Sequence, residues 1–186
     1  MIKAIIFDFF DVFRTDAYKA WLKTNDIPHE GSYLAASHEQ DMGTITTAEF
    51  LQRLSQLSGR DITREELDAG AKVDLQVVEI AKALKKRYRT ALLSNAPSAF
   101  IRELLAEHKL TRHFDEIIIS SEVGMVKPSA EIFEHTLAKL GVTASEAIFI
   151  DDNEHHVQAA KKLGIQGIQF VSASQLQESL AELGVK

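Results

Sequence analysis

Five short runs of the 186-residue chain are almost wholly apolar: "IKAIIF" (2–7), "TALLS" (90–94), "EIIIS" (116–120), "AIFID" (147–151) and "GIQFV" (167–171). They carry Ile, Val, Leu and Phe with little polar alternation, the pattern of strands covered on both faces. Between the last four the periodicity becomes helical. "SAFIRELLAEHKL" (98–110) puts Phe100, Ile101, Leu104 and Leu105 on one face, and "SAEIFEHTLAKLGV" (129–142) does the same with Ile132, Phe133, Thr136, Leu137 and Leu140. "NEHHVQAAKKLG" (153–164) ends on a glycine suited to a helix C-terminus. Alternating strands and helices predict right-handed crossovers and a parallel sheet with helices on both faces.

Residues 15–85 break this rhythm. They hold no convincing strand but four helical patterns, at 16–25, 46–59, 63–71 and 74–88. Two of them open on Thr-x-x-Glu, Thr46 with Glu49 and Thr63 with Glu66, in which hydroxyl and carboxylate cap each other's backbone N–H. An insertion of about 60 residues is too long for an ordinary crossover. The predicted architecture is therefore α/β, a Rossmann-like parallel sheet with a small all-helical cap inserted after strand one. The core domain takes residues 1–14 and 80–186, and the cap subdomain takes 15–79. Tyr18, Trp21 and Phe50 lie at helical spacing and are expected in the cap's own core.

With 45% hydrophobic and 26% charged residues, the chain can bury a sizeable core and stay soluble. A formal charge of −6 argues against a general nucleic-acid or anionic-membrane surface. The absence of cysteine excludes disulfides, thiolate metal sites and cysteine nucleophiles. No apolar stretch approaches the roughly 20 residues of a membrane span, and the N-terminal run is interrupted by Asp8 and Asp11. The expectation is a soluble cytoplasmic protein, monomer or homodimer, with no nucleic-acid or membrane partner.

In an open α/β sheet, ligands bind beyond the carboxyl ends of the strands. The first strand ends on Asp8, the second on Ser94-Asn95, and the fourth on Asp151-Asp152; "SSEVGMVKP" after the third carries Lys127 before Pro128. Carboxylates gathered at one point repel one another and call for a cation. Oxygen donors without cysteine or converging histidine favour a hard ion, Mg²⁺. A hydroxyl, an amide and a lysine opposite that ion could hold phosphate. One carboxylate could then attack phosphorus, which points to phosphoryl transfer through an aspartyl-phosphate. Asp151-Asp152 and Ser94-Asn95 would each pass as ordinary turns in isolation, and Lys127 as one more solvated lysine; their joint placement at strand ends favours a site. His155 and His156 are adjacent on a helix and do not share a face, so they are expected to be solvated surface residues rather than a chelating pair.

Four segments in order, "FDFFDVF" (7–13), "LLSNA" (92–96), "GMVKPSAEIF" (124–133) and "IFIDDNEHHVQAAKKLGI" (148–165), resemble the haloacid dehalogenase (HAD) superfamily of hydrolases, in the branch with a helical C1 cap after strand one. The resemblance covers essentially the whole chain. It implies that Asp8 is the nucleophile and a metal ligand, and that the Phe10 backbone carbonyl is a second ligand. It further implies that Asp152 binds the metal directly while Asp151 orients from behind, and that Ser94 and Asn95 bind phosphate. The resemblance also implies that Lys127 balances charge around phosphate and nucleophile. The implied substrate is a small phosphorylated metabolite. His156 sits where relatives often carry Asn.

One position departs from the pattern. Phosphatases of this superfamily usually carry a second aspartate two residues after the nucleophile, to protonate the leaving oxygen and then deprotonate water. Here it is Phe10. Water, Asp11 or a residue of the cap could substitute as acid/base. Two alternatives follow from the departure: a 2-haloacid dehalogenase-like hydrolase, whose halide leaves without a proton, and a catalytically impaired protein that binds a phosphorylated ligand. Arg14 lies too close to Asp8 to be the arginine a dehalogenase would use on the substrate carboxylate.

Overall fold

The structure is a computed structural model describing residues 1–185. Each of the five apolar runs falls on a strand: β1 (Ala4–Phe7), β2 (Arg89–Ser94), β3 (Glu116–Ile119), β4 (Ala147–Asp151) and β5 (Gln166–Gln169). They form one sheet in the order β3-β2-β1-β4-β5, every pair parallel. β1 is central, with Phe7 opposite Leu92 on one side and Ile150 on the other. The chain builds outward to β2 and β3, then crosses to β4 and β5, so the topological switch falls at the carboxyl end of β1. The last run narrows to a short edge strand: its expected residue Val171 lies outside it and is 77% exposed.

Successive side chains of a strand point to opposite faces, and the apolar residues divide accordingly. Ile5 and Phe7 join one buried cluster; Ala4 and Ile6 join the other. Four helices lie in the insertion: α1 (Ala17–Thr24), α2 (Gly31–Asp41), α3 (Thr47–Ser58) and α4 (Arg64–Asp68). The remaining helices flank the sheet: α5 (Leu75–Leu84), α6 (Ser98–Glu107), the short α7 (Ser120–Val123), α8 (Ala130–Leu140), α9 (Glu154–Lys162) and α10 (Ala173–Glu182). The first face is packed by α5, α6 and α10 through Val77, Ile80, Ile101, Leu105 and Leu176. The second is covered by α8 and α9 through Ile132, Phe133, Leu137 and Ala160. α5 thus runs across the expected boundary at 79/80, and its Val77 packs with the sheet. No described helix is long and apolar enough to cross a membrane.

The insertion has a separate cluster of Trp21, Leu22, Ala36, Phe50, Leu54 and Ile62. Thr46 and Glu49 form the full capping box that starts α3. At α4 only half of the device forms. Thr63 accepts from the Glu66 N–H, while the Glu66 carboxylate is taken by Trp21 Nε1 at 2.9 Å and by Arg60. α2 had no sequence signal because it is weakly amphipathic; Ala36 and Gln40 are its buried residues.

The insertion joins the sheet by two neighbouring segments, where Thr15 N–H donates to Lys72 O (3.0 Å) and Asp74 N–H to Phe13 O (2.8 Å). It also touches the core at the end of α2, where Ser120 Oγ donates to the Asp41 carbonyl. Gly43 passes so close there that a Cβ would lie 2.9 Å from Ser121 Cβ, and its φ of +73° independently favours glycine.

Leu54 is fully buried in the insertion's cluster, so Leu54→Ala is expected to cost about 2–5 kcal/mol. Trp21, the only tryptophan, reports on that cluster. In urea, its fluorescence transition should move to lower denaturant than the far-UV circular dichroism transition. Coincident shifts would mean that insertion and sheet unfold as one unit.

Candidate active site

The Asp8 N–H donates to Ile150 O at 2.8 Å, carrying the β1–β4 ladder one residue beyond β1. This holds the Asp8 carboxyl at the sheet's edge beside Asp151, the last residue of β4, and Asp152. The three offer carboxylate oxygens within 4.8 Å of one another. Lys127 enters between them: its Nζ lies 2.7 Å from Asp8 Oδ1 and 2.7 Å from Asp151 Oδ2, with the residue only 3% exposed.

The shared cation does not serve its two partners equally. Asp151 also receives His156 Nδ1 at 3.0 Å and the Asn153 N–H at 2.8 Å. Burial pushes its carboxyl up, but Lys127 and the hydrogen bond from His156 outweigh this and hold it down at about 2. Asp8 has only Lys127. Burial pushes it up to about 7, against the pull of Lys127 and reinforced by the negative charges of Asp151 and Asp152. Lys127 is disfavoured as a cation by burial, yet its two carboxylates raise its affinity for the proton above the usual value. Asp152 is partnered by Lys19 Nζ at 3.2 Å, which also meets Asp11 at 3.2 Å and Asp16 at 3.7 Å.

Above this cluster lies a cavity of about 330 Å³ between the strand ends and the insertion's helices, with Asp8, Phe10, Lys127 and Asp152 in its wall. Asn95 also lines it, but its amide is spent on the lysine loop: Nδ2 donates to Lys127 O and Oδ1 accepts from Lys127 N–H, both at 2.9 Å. Ser94 is fully buried at the end of β2, outside the cavity wall, with a hydroxyl that has no protein partner. The Phe10 ring stands between Phe9 (5.2 Å, edge-on) and Phe100 (6.3 Å, stacked). Its carbonyl accepts no hydrogen bond among the described residues.

Two expectations are corrected. Asp11 is not placed to act as the substitute acid/base: it does not line this cavity, and its carboxylate caps the turn before α1, accepting from Asp16 N–H at 2.8 Å and from Lys19. His156 is not a solvated surface residue, because the first turn of α9 rotates it inward onto Asp151, whereas His155 is exposed. Tyr18 and Phe50 serve twice, packing with the insertion's cluster and lining the cavity. Lys19, Asp16 and Asp41 also line it; no motif marks them, since their significance comes from the fold of the insertion over the sheet.

Removing the shared cation leaves two buried carboxylates against each other, so Lys127→Met is expected to cost about 3–5 kcal/mol. Protonated carboxyls need no cation, and the cost should shrink as pH falls. Urea unfolding of the variant and the parent at pH 8 and pH 5 checks this; an equal cost at both values would contradict the arrangement.

The family model of the haloacid dehalogenase-like hydrolases matches residues 2–164. The D-ribitol-5-phosphate phosphatase of Bacteroides thetaiotaomicron is 31% identical over 191 aligned positions, taking in 91% of this chain and 92% of that one. A HAD family enzyme from the same species, solved with magnesium and inorganic phosphate, has a TM-score of 0.73 at 23% identity over 95% of this chain and 99% of that one. A predicted HAD-like family hydrolase of Porphyromonas gingivalis gives 0.78 at 22% identity over 100% and 99%. The two structures speak for the fold, and the sequence matches carry the assignment: the chain belongs to the haloacid dehalogenase-like hydrolases.

Proposed function

We propose that the protein is a Mg²⁺-dependent phosphatase acting on a small phosphomonoester through an aspartyl-phosphate on Asp8. The observation that carries this reading is the Asp8 carboxyl fixed by Lys127 at the floor of a cavity it shares with Asp152. The donor set fits a hard cation: carboxylate oxygens of Asp8 and Asp152 with the unpaired Phe10 carbonyl would hold Mg²⁺, and Asp151, already committed to Lys127 and His156, would orient from behind. Bound there, the ion supplies positive charge to the phosphoryl oxygens and favours ionised Asp8.

The chain's own groups do the rest. Asp8 attacks phosphorus from a position set by β1 and by Lys127. The Lys127 ammonium offsets charge between nucleophile and phosphoryl group without moving. The partnerless Ser94 hydroxyl is a buried donor beside the site. Asn95 contributes by holding the lysine loop. Residues 15–79 act as the cap that excludes water during the reaction.

A cavity of about 330 Å³ suits a small metabolite. The ribitol-phosphate phosphatase similarity and the polar Ser37, Gln40 and Thr47 in the wall support a polyhydroxylated substrate. Among the described residues, the arginine in the cavity wall is Arg64, which is paired with Glu103 (2.8 Å), while Arg14 lies outside that wall and is paired with Asp68 (2.9 Å); neither arrangement supports a grip on the carboxylate of a haloacid.

Phosphate release from sugar and polyol phosphates should require Mg²⁺, and Asp8→Asn should lower kcat by at least about 10³-fold. Halide release from a 2-haloacid without metal, or saturable phosphate-ester binding with no turnover across the panel, would contradict the reading.

A further inference from the structure

The position that would carry an acid/base in a phosphatase of this kind is Phe10, and Asp11 is committed to its turn. Every other carboxyl in the cavity wall but one is also engaged. Asp8 is held by Lys127, Asp152 by Lys19, Asp68 by Arg14, and Asp16 by Lys19 and by the N–H that it caps. The exception is Asp41 in the last turn of α2, whose carboxyl has no hydrogen bond or ion pair among the described residues.

Its backbone, by contrast, is anchored. Ser120 Oγ donates to the Asp41 carbonyl and accepts from the Ala96 N–H at 2.9 Å, tying the end of α2 to the loop that follows Ser94-Asn95. Two residues later Gly43 presses on Ser121, an approach no larger residue permits. A free carboxyl is thus delivered by the insertion into the cavity that contains Asp8.

We propose that Asp41 is the general acid and base of this reaction, replacing from the insertion the group that Phe10 lacks. In the first step an Asp8 oxygen bonds to phosphorus. The ester P–O bond breaks with its electron pair on the leaving oxygen, which takes the Asp41 proton and departs as an alcohol. In the second step water bonds to phosphorus and gives a proton to the Asp41 carboxylate, while the pair of the breaking P–O bond returns to Asp8 and inorganic phosphate leaves. Asp41 ends protonated, as it began.

Its surroundings suit both roles. Burial, then the charge of Asp16, pushes the Asp41 carboxyl up to about 7, against the pull of Lys127 and Lys19, so acid and carboxylate are both populated near neutral pH. The other titratable groups of the insertion in the wall are Tyr18, His29, His38 and the side chains of Arg64 and Asp68, which pair with Glu103 and Arg14.

The inference rests on the phosphatase reading, and leaving-group dependence separates the two. With Mg²⁺, Asp41→Asn should lower kcat for phosphoenzyme formation from an alkyl phosphate by about 10²–10³-fold. From p-nitrophenyl phosphate, whose leaving group needs no proton, formation should fall less than about tenfold. The limb of the alkyl-ester kcat profile that falls as pH rises past about 7 should disappear with it. Equal losses on both esters, a rise in KM alone, or loss of that limb in His38→Gln instead would overturn Asp41 as the acid while leaving the phosphatase intact. A parent protein inert on both esters would overturn both.

Discussion

The ammonium of Lys127, 2.7 Å from carboxylates on both Asp8 and Asp151, is the interaction on which the site depends. β1 and β4 are neighbours in the middle of the sheet, so their carboxyl ends bring two acids together in a buried place. Burying one lysine between them offsets the repulsion only in part. Asp151 has His156 and a backbone N–H as well and stays ionised, whereas Asp8 is left short of positive charge. On the proposed reading, that imbalance makes one carboxylate structural and leaves the other open to a cation and to phosphorus. Asn95 belongs to the same construction, because its amide fixes both backbone groups of the lysine.

The second constraint is the closeness of the insertion to the sheet. Gly43 against Ser121, and Ser120 bridging the Asp41 carbonyl and the Ala96 N–H, hold the end of α2 over the strand ends. The cavity is therefore walled on one side by groups that β-strands place and on the other by groups that helices place. Lys19 crosses between them, linking Asp11 and Asp16 to Asp152. On the proposed reading, phosphoryl chemistry would concentrate on the strand side, with the helices supplying shape, polar contacts and, through Asp41, a proton.

Much of this was legible in the sequence, and the division is physical. The strands could be read because burial on both faces demands unbroken apolar runs, and Asp8, Asp151 and Asp152 because charged residues stand where those runs end; Lys127 lies beyond α7 and was marked by the segment "GMVKP". β5 ends before the run that marked it, since an edge strand alternates and Val171 lies outside it. α2 left little trace because so little of it is buried. The roles of Asp11 and His156 came out differently from expectation, as one turn of chain decides which way each points: Asp11 toward Asp16 and Lys19, His156 toward Asp151. Lys19 and Asp41 could not be found in a single sequence, because only the folding of the insertion over the sheet brings them to the cavity.

The central claim is that the carboxyl Lys127 leaves short of charge becomes phosphorylated. Acid-quenched protein, mixed with Mg²⁺ and a phosphomonoester for less than one turnover, can be mapped by mass spectrometry of its peptides. The account predicts one hydroxylamine-sensitive phosphoryl group on the peptide containing Asp8, absent in Asp8→Asn. Turnover with no phosphoryl group on that peptide, or one on another carboxyl, would contradict it.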